Sequence, residues 1–160
     1  MWIPFLFKDR MKFYKLTDSK GFDLAEYVKE YLNKNQGYDI KMYLGCDSQN
    51  KQVTTYATTL VFHIEASGCH VIYKKSRVEK INDMWTRLWG EVERSVEVAL
   101  YLRENGIEID TIDLDYNIDP NAGSNKLVKA AVGYVESLGY RARVKPDLLP
   151  AVYAADDIVN

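Results

Sequence analysis

The chain has 160 residues, 47% of them hydrophobic and 28% charged, with a formal net charge of −2. This composition suits one globular domain with a full core, and it excludes a global basic field as a sign of nucleic-acid binding, leaving only local patches. Two cysteines, Cys46 and Cys69, lack CxxC spacing, which argues against a zinc ribbon or a disulfide scaffold and fits a reducing compartment. The apolar opening Trp2-Ile3-Pro4-Phe5-Leu6-Phe7 is too short for a signal peptide or a membrane span, so the expectation is a soluble, cytoplasmic protein.

In chain order, residues 1–22 read as an irregular arm before a single domain over 23–160. Asp23 is a predicted N-cap for a helix from Leu24 to Asn33, with Leu24, Tyr27, Val28, Tyr31 and Leu32 at helical spacing and Asn35-Gln36-Gly37 as its end. Asp39 to Asp47 is the first predicted strand, and Ser48-Gln49-Asn50-Lys51 is a turn. Gln52 to Glu65, rich in Val, Thr, Tyr and Phe, is the second strand; Cys69 to Val78, after the turn Ala66-Ser67-Gly68, is the third. The pattern then becomes helical. Trp85, Leu88, Trp89, Val92, Val96, Ala99 and Leu100 mark a long helix over residues 82–104, ended by Asn105-Gly106. Ile107 to Tyr116 is the fourth strand, and residues 117–123 form a loop. Ser124 caps a helix to Leu138, Tyr140 to Val144 is the fifth strand, Lys145-Pro146 breaks it, and Leu149 to Ile158 is a last helix.

A three-stranded meander followed by helix-strand-helix-strand predicts an α/β protein with a mixed five-stranded sheet and helices on both faces. With right-handed crossovers the simplest strand order is 3-2-1-4-5, with strand 2 antiparallel and strands 1 and 4 parallel at the centre. Asp47 closes the first strand, and Asp113 and Asp115 lie near the end of the fourth. A buried strand that delivers a carboxylate is costly unless something pairs with the charge. Converging carboxylates are hard oxygen donors of the kind Mg²⁺ and Mn²⁺ prefer, and a pair of such ions can cleave a phosphodiester.

The other residue types leave alternatives open. Asp47 is also the kind of residue that caps a turn. Asp113 lies one pleat deeper than Asp115 and equally suits a structural hydrogen bond. Glu91 shares a flank of the long helix with Ser95, Val98 and Leu102, whereas Glu93 and Glu97 lean towards solvent. Asp156 and Asp157 are adjacent on the last helix, so only one can turn inward, and the spacing from Ala151 favours Asp156. His63 and His70 suit ordinary strand positions. Lys74, Lys75, Arg77 and Lys80, just before Trp85 and Trp89, suit either a phosphate-tracking segment or a charged strand edge. Lys126, Lys129, Arg141, Arg143 and Lys145 form a second, more diffuse basic set.

Gly45-Cys46-Asp47-Ser48-Gln49 after an apolar strand resembles the Gly-x-Asp-Ser-Gln signature of the ribonuclease H-like family typified by YkuK, whose members are predicted nucleases. Arg87-Leu88-Trp89-Gly90-Glu91, Asp115-Tyr116-Asn117 and Lys145-Pro146 with Ala151 to Asp156 follow in matching order, so the resemblance covers nearly everything from Leu24 onward. The resemblance implies a ribonuclease H-like fold and a metal-dependent nuclease acting on RNA, DNA or a hybrid. It implies Asp47, Glu91, Asp115 and Asp156 as catalytic ligands of Mg²⁺ or Mn²⁺, with Asp47 bridging. Ser48, Gln49 and Asn117 are expected in support, and Lys74, Lys75, Arg77 and Lys80 on the nucleic acid. The competing expectation is a non-catalytic nucleic-acid-binding or scaffold module on the same fold. A phosphohydrolase using Asp113-Leu114-Asp115 ranks lower, because that motif comes late in the chain.

Overall fold

The computed structural model describes residues 10–65, 67–117, 125–145 and 149–160, without the side chains of Asn117, Lys145 and Tyr153. Seven strands and four helices follow in the order β1 (Lys12–Lys15), β2 (Phe22–Asp23), α1 (Leu24–Lys34), β3 (Ile40–Asn50), β4 (Thr54–Ile64), β5 (Gly68–Val78), α2 (Met84–Glu104), β6 (Thr111–Asn117), α3 (Asn125–Ser137), β7 (Arg141–Lys145) and α4 (Pro150–Val159). They form one sheet in the order β2-β1-β5-β4-β3-β6-β7.

The five expected strands are β3 to β7, and their order, with β4 antiparallel between β3 and β5, is the expected one. The strand count is corrected. Part of the expected arm, residues 10–22, is built into the sheet: β1 pairs with the outer edge of β5 through Tyr14↔Tyr73 and Lys15↔Ile72, and β2 pairs with β1. Phe13 is fully buried and anchors this addition. The β3–β4 turn is also shifted, because the ladder runs on to Asn50↔Thr54 and absorbs Ser48 and Gln49. β6 starts at Thr111, later than expected; the preceding Ile107 and Ile109 are buried but extended outside the ladder. The Ser124 cap, the loop after Asn117 and the Pro146 break lie outside the described residues.

Helix termini follow local chemistry. Asp23 caps α1 by accepting from the Glu26 amide, and Asp83 caps α2 by accepting from the Thr86 amide. Gly106, at φ 79°, takes the left-handed position that closes α2.

Strand alternation divides the core between two faces. Met42, Leu44, Leu60, Phe62, Ile72, Ile112 and Leu114 face α1, α2 and α3, where Val28, Val96, Leu102 and Leu127 complete the main cluster. The opposite face carries Gly45 and Ala57 and is crossed by α4, whose Ala155 and Val159 pack on Ala57. Gly45 is required by that approach. A Cβ there would sit 2.9 Å from the Ala151 backbone and side chain and from the Val152 nitrogen. Gly90 has the same role on the other side, where a Cβ would strike the Tyr56 hydroxyl.

Candidate functional site

β3 and β6 are parallel and paired at Tyr43↔Thr111, Leu44↔Ile112 and Gly45↔Asp113. Asp47 and Asp115 each lie two residues beyond the last paired position, so they stand side by side on the α4 face. The ladder from β6 to β7 shifts there: Leu114 pairs with Val144 and Asn117 with Lys145, so Asp115 and Tyr116 are inserted without counterparts on β7. Such irregularities re-aim side chains at strand ends.

α4 brings Asp156 to the same place. Asp156 lies close enough to Asp47 to raise its pKa, and the Asn160 side-chain amide donates to Asp156 Oδ1 at 2.9 Å. Asn160 in turn accepts from Gln49 Nε2 at 2.8 Å. Gln49 therefore steadies Asp156 from the neighbouring strand, a supporting place reached through Asn160. Asp157 is exposed.

Glu91 comes from α2, on the other face, and is only 4% exposed. Ser48 joins the two sides. Its amide donates to Asp47 Oδ1 at 2.9 Å, and its hydroxyl donates to Glu91 Oε2 at 2.5 Å. Arg87, one turn before Glu91, donates to the Ser48 hydroxyl at 2.8 Å. The start of α2 is fastened to the sheet by the Tyr56 hydroxyl donating to the Arg87 carbonyl and the Tyr116 hydroxyl donating to the Leu88 carbonyl.

The electrostatics show how closely these groups are gathered. Burial pushes Asp47 up to about 6, against the Ser48 amide, and the carboxylates of Asp156 and Asp115 push it further. Burial pushes Glu91 up to about 8, opposed by Ser48 and Arg87 and reinforced by the charges of Asp47 and Asp115. Asp115 and Asp156 thus act on Asp47, and Asp47 and Asp115 act on Glu91. Among the described residues, however, no group of three or more His, Cys, Asp or Glu side chains is arranged to hold one metal ion. The donor set fits a hard divalent cation in kind, being all carboxylate oxygen. The repulsion that raises Asp47 is of the kind a bound cation would relieve.

Asp113 is separate. It is fully buried, accepts from Arg143 Nε at 2.8 Å and from the Ala151 amide at 3.2 Å, and so joins β6, β7 and the start of α4. Of the basic quartet, Lys75 and Arg77 share the Asp47 face through the register Asp47↔Ala57↔Lys75 and Gln49↔Thr55↔Arg77. Lys75 also donates to the Ile158 carbonyl at 3.3 Å. Lys74 lies on the α2 side, in a cleft of about 350 Å³ with Thr58, Arg94 and Glu97. Lys80 is exposed beyond β5. The quartet is therefore divided between faces. The Asn117 side chain lies outside the described residues. His70 is paired with the Tyr27 hydroxyl at 2.5 Å, and both cysteines are free.

Sequence reasoning assigned no role to Arg87 and did not find Asn160. The signal for Arg87 was its i, i+4 spacing to Glu91 on one helix face. The partnership of Asn160 with Gln49 spans 111 positions and leaves no local mark.

A family model described as Ribonuclease H-like matches residues 23–159. No curated protein and no solved structure matches the chain.

Proposed function

Since the chain belongs to the ribonuclease H-like family, we propose that it is a metal-dependent nuclease that hydrolyses phosphodiester bonds of nucleic acid. The observation that carries this reading is the placement of Asp47 and Asp115 two residues beyond the last paired position of two adjacent parallel strands, with Asp156 acting on Asp47 and with Glu91 in the field of both strand carboxylates. Asp47, Glu91, Asp115 and Asp156 would hold Mg²⁺ or Mn²⁺. When bound, such ions lower the pKa of an attacking water and neutralise charge on the transferring phosphoryl group.

The chain's own residues prepare that centre. Ser48 orients Asp47 and Glu91 together through its amide and hydroxyl. Arg87 holds the Ser48 hydroxyl and draws Glu91 towards its anionic form. Gln49 and Asn160 hold Asp156 in register with the strand end. Because Asp47 and Glu91 titrate high, a cation held there would compete with their protonation, and its binding should strengthen as pH rises. The test is Mg²⁺- or Mn²⁺-dependent cleavage of RNA, DNA and hybrid substrates by the wild type and by Asp47→Asn. Equal cleavage by both removes the assignment.

A non-catalytic nucleic-acid-binding module is the second reading, favoured by the exposed position of Asp156 on α4. Salt-sensitive binding with no cleavage under any metal would select it.

A further inference from the structure

On the α4 face, at the opposite end of the strands from Asp47, a cleft of about 390 Å³ opens between the starts of β3, β6 and β7. Its lining includes Lys41, Tyr43, Asp110, Thr111, Arg141 and Arg143. Arg143 is paired with buried Asp113 and the lining carboxylate Asp110 accepts from the Met42 amide at 2.7 Å through Oδ2, so the positive excess comes from Lys41 and Arg141. In a chain of net charge −2, this is a local positive site.

We propose that this cleft binds a phosphate of the nucleic-acid backbone, as an anchor apart from the reacting centre. The proposal rests on the nucleic-acid reading above but not on cleavage. Arg143 carries the argument. Its guanidinium lies 4.2 Å from the centroid of the Tyr43 ring, and its Nε donates to buried Asp113 at 2.8 Å. The fork is held before any ligand arrives, so little side-chain freedom is lost on binding. Its Nη2 is buried against the same Asp113 oxygen at 2.8 Å, while the side chain as a whole keeps 26% of its surface exposed, so part of the held guanidinium still faces the cleft.

Arg141 and Lys41, both exposed, extend the positive wall, and Lys41 is only loosely drawn to Asp39 at 3.9 Å. Charged residues on an edge strand often serve only to block strand addition. Those side chains wave in solvent, whereas Arg143 is stacked, paired and mostly buried. Tyr43 is four residues before Asp47 on the same face, about 13 Å along the strand at roughly 3.3 Å per residue.

The test uses the full chain in EDTA, so that binding is read without cleavage. Fluorescence anisotropy of a labelled 20-mer duplex and a single strand is followed against salt for the wild type and for Lys41→Ala/Arg141→Ala. Both substituted residues are exposed, and thermal melting checks the fold. The double variant is expected to bind about tenfold more weakly near 0.1 M salt, with the log–log salt slope shallower by about 1.5. A control, Lys29→Ala/Lys34→Ala, removes the same charge from α1 and should change neither. Equal loss in the control, or no change in the cleft variant, overturns the proposal. So does titration with inorganic phosphate in which the wild type binds phosphate, the cleft variant does not, and both bind the oligonucleotides alike. A cleavage-dead protein that still shows the expected slopes sinks the nuclease reading and leaves this one standing.

Discussion

Ser48 donates its hydroxyl to Glu91 and its backbone amide to Asp47, so one residue aligns two carboxylates delivered from opposite faces of the sheet. Ser48→Ala keeps the amide and loses the hydroxyl. Glu91 is then buried with one partner fewer and should titrate above its present value of about 8. We expect a loss of about 1–3 kcal/mol in stability above pH 8. The pH profile of Mn²⁺ binding should move to the alkaline side. An unchanged profile would show that Glu91 is ordered by other contacts.

Protonation should set the stability of the metal-free protein. Asp47 titrates at about 6 instead of 3.8, and Glu91 at about 8 instead of 4.5. Both values are raised, so across these windows the folded protein holds protons that the unfolded chain has released. These two groups therefore make the protein more stable as pH falls from above 8 towards 5. Glu91→Gln should melt higher than wild type at pH 8.5 and lose most of this advantage at pH 5. Thermal melts at the two pH values read the difference directly.

Asp113 and Asp115 should separate in their effects. Asp113→Asn breaks a buried pair with Arg143 and is expected to cost about 3–5 kcal/mol in denaturant melts. Asp115→Asn removes a charge that pushes Asp47 and Glu91 up, and should lower both of their titration points and weaken Mn²⁺ binding while the fold persists. If Asp113→Asn abolishes ion binding in a protein that still melts like wild type, the two roles are reversed.

Gly45→Ala should act at a distance. Its Cβ would meet the Ala151 backbone at 2.9 Å and lift α4 from the sheet. Overpacking of this kind costs about 1–3 kcal/mol. The helix that moves carries Asp156, so Mn²⁺ affinity should fall along with the melting temperature. A stability loss with unaltered affinity would mean that Asp156 lies outside the ion's reach.

The central sheet could be read from the chain because β3, β4 and β5 are long, alternate cleanly and are joined by short turns, and because the helices between the later strands carry clear apolar stripes. β1 and β2 escaped for the opposite reason. They have four residues and two, and their place is decided by pairing with β5 some sixty positions later. The four candidate carboxylates came from strand ends and from family likeness; the structure puts Asp115 and Asp156 within electrostatic reach of Asp47, and Asp47 and Asp115 within reach of Glu91. Their orientation was another matter. Nothing local announces that Glu91 approaches from the far face, or that Gln49 reaches Asp156 through Asn160, since both depend on contacts between distant segments.

The two residues that β6 inserts opposite β7 bear on how this chain can change. An exchange of side chains near Asp115 leaves the alternation of the strand intact. Removing Leu114 would carry Asp115 into the position that now faces the helices and present Tyr116 in its place. Length variation at this point should therefore be far more damaging than point substitution, and a deletion scan of this short stretch would expose the difference.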